Sequence, residues 1–135
     1  MSAITVAAKT ENLDQVLAFV EEELEQLAVG MKASMQIGVA VEEIFVNIAH
    51  YAYAPQSGDV TIEVFSQKEP EEVTIFFKDS GTPYDPLAKP DPDITLSSEE
   101  RPIGGLGIYM VKKSMDEVFY EYRDGQNVLK LRKRL

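Results

Sequence analysis

Early in the chain, apolar residues recur at spacings of three and four, the signature of amphipathic helices. Residues 12–29 (NLDQVLAFVEEELEQLAV) place Leu13, Val16, Leu17, Val20, Leu24 and Leu27 on one face and acids on the other, and Gly30 is expected to stop this helix. Residues 4–10 (ITVAAKT) precede it as a short strand. A second helix is predicted from about Lys32 to Tyr53, ending near Pro55. Its stripe of Ile37, Val41, Ile44, Ile48 and Tyr51 should face a sheet. The loop APQSG follows, and the pattern then changes to period 2. Val60, Ile62 and Val64 alternate with polar neighbours in DVTIEVF, and Val73, Ile75 and Phe77 do so in EVTIFFK. The linking SQKEPEE predicts an antiparallel hairpin.

Residues 79–104 (DSGTPYDPLAKPDPDITLSSEERPIG) break both periods and hold five of the seven prolines. A stretch this long inside a compact domain reads as a lid or binding loop. A short helix is expected from Gly105 to Met115, and VFYEYRD and NVLKLRKRL then form a hairpin around Asp124-Gly125. The order β-α-α-β-β-loop-α-β-β predicts one domain over residues 1–135, of α+β class. A mostly antiparallel sheet would carry helices on one face, making two layers.

Composition removes several chemistries. The 135 residues contain no cysteine and one histidine, His50, which excludes disulfides, thiolate sites and a multi-histidine zinc site. Acids outnumber bases 23 to 13, for a net charge of −10, so direct nucleic-acid binding is disfavoured. A basic partner surface, or a nucleotide carried with a metal ion, fits better. Residues 1–10 show no basic leader or cleavage pattern, and no apolar run approaches the ~20 residues of a membrane helix. The expectation is a cytoplasmic protein without membrane contact.

Three polar clusters carry candidate chemistry. With Ile44 at zero on the second helix, Asn47, Glu43 and His50 fall at about 60°, 100° and 120° on one side, while Glu42 points away. Glu43 is therefore the carboxylate near any pocket. A carboxylate there can act as general base, and the amide oxygen of Asn47 suits Mg²⁺; a solvated polar flank, with His50 as a helix C-terminal cation, is the plain alternative. Asp79, at a strand end before Ser80-Gly81, can accept a hydrogen bond from an exocyclic amine such as a purine's, and Gly81 allows a flat ligand to approach. A simple Asp-Gly turn would look the same. Gly104, Gly105, Leu106 and Gly107 open the third helix, where free N–H groups can hold an anion, unless the glycines serve only as a hinge. Lys112 and Lys113 could add positive charge there. Taken in order, these clusters suggest a nucleotide site closed by a lid.

At this level the residues resemble the GHKL ATPase superfamily. AVEEIFVNIAHYAY is similar to its N-box, DSGTPYDPL to its first glycine box, and RPIGGLGIYMVKKSMDEVFYEY to its second, with NVLKLRKRL as the closing strand. More narrowly, the chain resembles stand-alone anti-sigma-factor serine/threonine kinases, over about Ile4 to Leu135. The resemblance implies a Bergerat fold, a mixed, mostly antiparallel sheet with ATP and Mg²⁺ under a lid at about residues 82–104. It implies that Glu43 is the catalytic base and that Asn47 ligates Mg²⁺. Asp79 would read the adenine amine and Gly81 would flank the base. Gly104, Gly105, Leu106 and Gly107 would hold the phosphates, with His50 near the nucleotide edge. The implied partners are an anti-sigma-factor antagonist and a sigma factor, with a homodimer as the implied assembly. The alternative is a non-catalytic ATP-dependent switch that sequesters a sigma factor or another signalling protein. Two departures stand out. Pro83 and Tyr84 replace the usual glycine and phenylalanine, and NVLKLRKRL lacks the hydroxyl residue many relatives place near adenine.

Overall fold

The structure is a computed structural model that describes residues 1–53, 57–88 and 106–135. Strand β1 (Ser2–Ala7) leads through a 3-10 turn into α1 (Leu13–Gln26) and α2 (Met31–Tyr51). The hairpin β2 (Asp59–Lys68) and β3 (Glu71–Asp79) follows, then α3 (Leu106–Ser114), β4 (Glu117–Arg123) and β5 (Gln126–Arg134). The five strands form one sheet in the order β1-β2-β3-β5-β4. Every pairing is antiparallel, so the sheet expected to be mixed is wholly antiparallel among the described residues. The α+β class stands, with helices packed against one face.

Alternation sets that face. Val60, Ile62 and Val64 of β2, Val73, Ile75 and Phe77 of β3, and Leu129 and Leu131 of β5 are buried against Val16, Val20 and Leu24 of α1 and Ile37, Val41, Ile44 and Phe45 of α2. Full burial of one such side chain is worth about 1.5–3 kcal/mol. Tyr51, expected on the buried stripe, is instead half-exposed and stacks on Tyr84, while its neighbour Ala52 is the residue buried there. The expected link SQKEPEE shrinks to a turn at Glu69 and Pro70, since β2 and β3 stay paired out to Lys68↔Glu71. Asp124 and Gly125 turn the last hairpin with φ of 55° and 78°, the doubly left-handed geometry their sequence signals.

The end of α1 corrects one expectation. Ala28, not Gly30, takes the left-handed conformation, with φ 55°. Val29 N–H donates to Leu24 O at 3.0 Å and Ala28 N–H to Glu25 O at 3.0 Å, the paired closing bonds of a Schellman cap. Gly30 is extended, at φ −64° and ψ 157°, and serves as the N-cap of α2.

The other sheet face mixes ion pairs with aromatic rings, Phe65 meeting Phe76 edge-on at 5.6 Å. Lys78 pairs with Glu63 at 3.0 Å, Lys130 with Glu117 at 2.8 Å, and Arg132 bridges Glu72 at 3.2 Å and Glu117 at 3.3 Å. Hydrogen bonds from Lys130 and Arg132 hold the Glu117 carboxyl below the usual carboxylate range. Such exposed pairs add little stability each but favour this register. No helix among the described residues is long and apolar enough to cross a membrane.

Candidate functional site

The C-terminal half of α2 carries the first cluster. Glu43 and Asn47 lie one turn apart and half-buried, while Glu42 is exposed on the far side, as the helical angles require. Asn47 Nδ2 donates to the backbone oxygen of Glu43 at 2.8 Å and to Glu43 Oε1 at 3.1 Å. Both donations use the amide nitrogen. Asn47 Oδ1 accepts no hydrogen bond among the described residues, so a hard neutral oxygen is left beside a carboxylate. From α3, Gly107 backs onto the same carboxyl group. A Cβ at this position would overlap Glu43 Cδ and its oxygens, so a side chain there would push the Glu43 carboxylate away from the start of α3.

The second cluster lies at the end of β3. Period 2 puts Asp79 on the same inward face as Phe77, and it is only 3% exposed. Directly opposite it in β5 is Asn127, also buried. Asn127 Nδ2 donates to Asp79 Oδ1 at 2.9 Å and to Thr82 O at 3.0 Å. Asn127 Oδ1 accepts from Tyr84 N–H at 3.1 Å and from the Tyr120 hydroxyl. Gly81 N–H donates to Asp79 Oδ1 at 2.9 Å. Asp79 Oδ2 therefore accepts nothing among the described residues. Burial raises the Asp79 pKa above its ordinary value, and the bonds from Asn127 and Gly81 oppose that rise. A cavity of about 30 Å³ opens here, lined by Ile44, Asn47 and Ile48 of α2, by Asp79 and Asn127, and by Tyr84 above them.

Asn127 is a member of this cluster that the sequence reading missed. NVLKLRKRL lacks a hydroxyl, as noted, but an amide stands in the inward position two residues before Leu129. The alternation of Leu129 and Leu131, carried back two residues, was the available signal.

The remaining candidates divide. Gly81 packs its Cα against Ala52 at the end of α2, where a Cβ would overlap the Ala52 carbonyl, and Thr82 N–H donates to Ala52 O at 2.8 Å. The need for glycine thus comes from the protein's own backbone. Tyr53, also unforeseen, ties three segments together. Its hydroxyl donates to Asp59 O at 2.7 Å and accepts from Ser80 N–H at 2.8 Å. His50 is exposed, edge-on to Tyr51 at 6.1 Å, and does not line the cavity. Tyr51 stacks on Tyr84 at 5.2 Å, at the mouth. Gly104 and Gly105, with most of the expected lid, lie outside the described residues, and Leu106 is the first residue of α3. Lys113 lies 5.4 Å from the Tyr109 ring, and Lys112 is half-buried on the same helix.

These groups fit a nucleotide carried with a metal. The free Asp79 oxygen offers an acceptor to a base amine, Asn47 Oδ1 is a ligand of the kind Mg²⁺ takes, and the Glu43 carboxylate lies between Asn47 and the start of α3. Fold and site together define a GHKL-type domain. The chain belongs to the histidine kinase-like ATPase family, whose pattern it matches over residues 6–133.

Among curated proteins it is similar to the serine/threonine-protein kinase BtrW of Bordetella bronchiseptica, 28% identical over 93 residues, covering 69% of this chain and 65% of that protein. It is also similar to the serine-protein kinase RsbW of Bacillus cereus, 33% identical over 95 residues, covering 67% and 58%. The RsbW of Listeria monocytogenes is 27% identical over 103 residues, covering 73% and 64%. The matches thus span 58% to 65% of the relatives' own lengths. Among solved structures, that of the RsbU and RsbW domains of Rv1364c from Mycobacterium tuberculosis superposes with a TM-score of 0.69 and 16% identity. That match covers all of this chain and 33% of the other, and shows the fold.

Proposed function

We propose that the chain binds Mg-ATP between α2 and the β3–β5 end of the sheet and phosphorylates a serine or threonine on a partner protein. The supporting observation is the grouping of Glu43, Asn47 and Gly107, a carboxylate set between a free amide oxygen and a helix start. Asp79 would accept the adenine amine on its free oxygen, held in place by Asn127 and the Gly81 N–H. Asn47 Oδ1 would ligate the metal. Gly107, with Gly104, Gly105 and Leu106 before it, would let the start of α3 approach the phosphates. Bound Mg-ATP supplies the γ-phosphoryl group and the metal charge that offsets the triphosphate's. Glu43 accepts the proton of the attacking hydroxyl on a carboxylate oxygen, and Asn47 Nδ2 keeps that carboxylate oriented. Residues 82–104 would close over the nucleotide as a lid.

The kinase names of its relatives and the family resemblance favour an anti-sigma-factor kinase. Its substrate would be an anti-sigma-factor antagonist and its other partner a sigma factor, with a homodimer as the working assembly. The test is transfer of label from γ-labelled ATP to such an antagonist. Glu43→Gln keeps the shape of the side chain but not the base, and should slow transfer about 10²–10⁴-fold while ATP still binds. Transfer at the wild-type rate would remove Glu43 from the mechanism. Partner binding with no labelled product from the wild-type protein would leave the ATP-dependent switch in place of the kinase.

A further inference from the structure

We infer that α1 and the N-terminal half of α2 form a docking groove for a basic amphipathic helix of a partner protein. The groove has a volume of about 770 Å³ and lies on the side of α2 away from Glu43. Its α2 wall is a stripe of Met31, Met35 and Val39, one turn apart and 80%, 66% and 59% exposed. Leu17 and Val20 of α1 form the opposite wall. Three large apolar side chains left in water at i, i+4 and i+8 make a stripe about 12 Å long at 1.5 Å per residue, long enough to meet two turns of anchors on a partner helix. Methionine suits such a surface, because its unbranched thioether adapts to different partners.

Gly38 is an independent sign. It lies in the interior of α2, where glycine is disfavoured, and lines the groove between Met35 and Val39. A Cβ added there would meet nothing within 4 Å. Nothing in the described fold therefore requires this glycine, and its missing side chain deepens the groove.

Charge selects the occupant. Glu21 and Glu25 of α1 and Glu42 of α2 rim the groove, and no basic side chain among the described residues lines it. A second copy seated on the same groove would set acid against acid, and an anionic membrane surface would be repelled. A helix with leucines on one face and lysines or arginines flanking them satisfies both floor and rim. From Met35 to Asn47, α2 rises about 18 Å at 1.5 Å per residue, so a docked helix leaves the nucleotide site open. The inference does not rest on the nucleotide reading.

The test uses the full chain with ¹³C-methyl methionine. Five methionines are present, and Met115, buried at the end of α3, is the internal control. The probes are synthetic helical peptides with leucines at i, i+4 and i+7 flanked by lysine and arginine, and the same peptides with glutamate in place of the bases. The basic set should shift the Met31 and Met35 methyl signals and leave Met115 unmoved. Affinity should drop at least tenfold in 0.5 M salt and in Gly38→Leu, which fills the groove. An unfolding midpoint close to wild type and an unmoved Met115 methyl signal check that Gly38→Leu is folded, and Mg-ATP binding, measured separately, distinguishes this outcome from failure of the nucleotide site. Equal binding of acidic and basic peptides, no shift with either set at millimolar concentration, or undiminished binding by Gly38→Leu overturns the inference. So does a Met31 and Met35 shift that tracks protein concentration alone, which would make a second copy the occupant.

Discussion

Asp79 is a carboxylate the fold holds out of water at a cost. Its pKa is raised by burial, so the folded state binds its proton more tightly than the unfolded chain does. The sign follows: stability is lost as pH rises from the ordinary carboxylate value through the raised one, and Asp79 opposes folding at neutral pH. Asp79→Asn can keep the bonds from Gly81 and Asn127 on its oxygen. Without ligand, the variant should be more stable than wild type by about 1 kcal/mol at pH 7, with that acid-side slope removed. Urea denaturation across this pH range measures it, and a loss of stability would contradict the assignment. Asn127 predicts the opposite. Asn127→Ala removes one of the two bonds to the Asp79 carboxylate, leaves the Tyr84 N–H and the Tyr120 hydroxyl without this acceptor, and should lower stability by about 2 kcal/mol in the same assay. A change within error would mean that other groups or water satisfy these atoms.

The two residues also differ in how far the sequence revealed them. Asp79 continues the alternation of Val73, Ile75 and Phe77, so its inward orientation was readable. Asn127 stands next to a Gly-containing hairpin turn, where asparagine is ordinary turn chemistry. Its role depends on partners from β3, β4 and the segment after β3, a convergence that no local pattern carries. Glu43 and Asn47 were legible because helical angles alone place them on one edge. The contact of Glu43 with Gly107 was not, because it depends on how α2 and α3 pack.

At the scale of elements, the three α-helices and five strands among the described residues were foreseen, the 3-10 helix Thr10–Asn12 was not, and the other errors lie at element ends. Gly30 is the stronger stop signal for α1, yet the chain must turn earlier so that Gly30 can start α2 in extended geometry. Ala28 therefore takes the left-handed cap that favours glycine. Ala28→Gly should raise stability by about 1 kcal/mol, read by thermal or urea unfolding. A destabilised variant would argue against the Schellman cap. The wholly antiparallel sheet follows from the hairpins at β2–β3 and β4–β5, with β5 laid beside β3 so that Asn127 meets Asp79. At the end of α2 the buried position falls on Ala52 and not on Tyr51, which stacks on Tyr84.

At the scale of the molecule, the size of the cavity bears on how a ligand would enter. The cavity of about 30 Å³ is too small for an adenine, so on the proposed reading Tyr84 and Pro86, which line it with Ile44 and Asp79, would shift to admit one. Those residues begin the segment proposed as the lid, and the Tyr51–Tyr84 stack is the contact that must yield. The central claim is an adenine site read by Asp79. Calorimetry with Mg-ATP and Mg-GTP on the wild type and on Asp79→Asn tests it most directly. The account predicts heat of binding for Mg-ATP with the wild type, at least tenfold weaker binding of Mg-GTP, and loss of that preference in Asp79→Asn. Equal affinity for both nucleotides, or an Asp79→Asn protein that still prefers ATP, would contradict it.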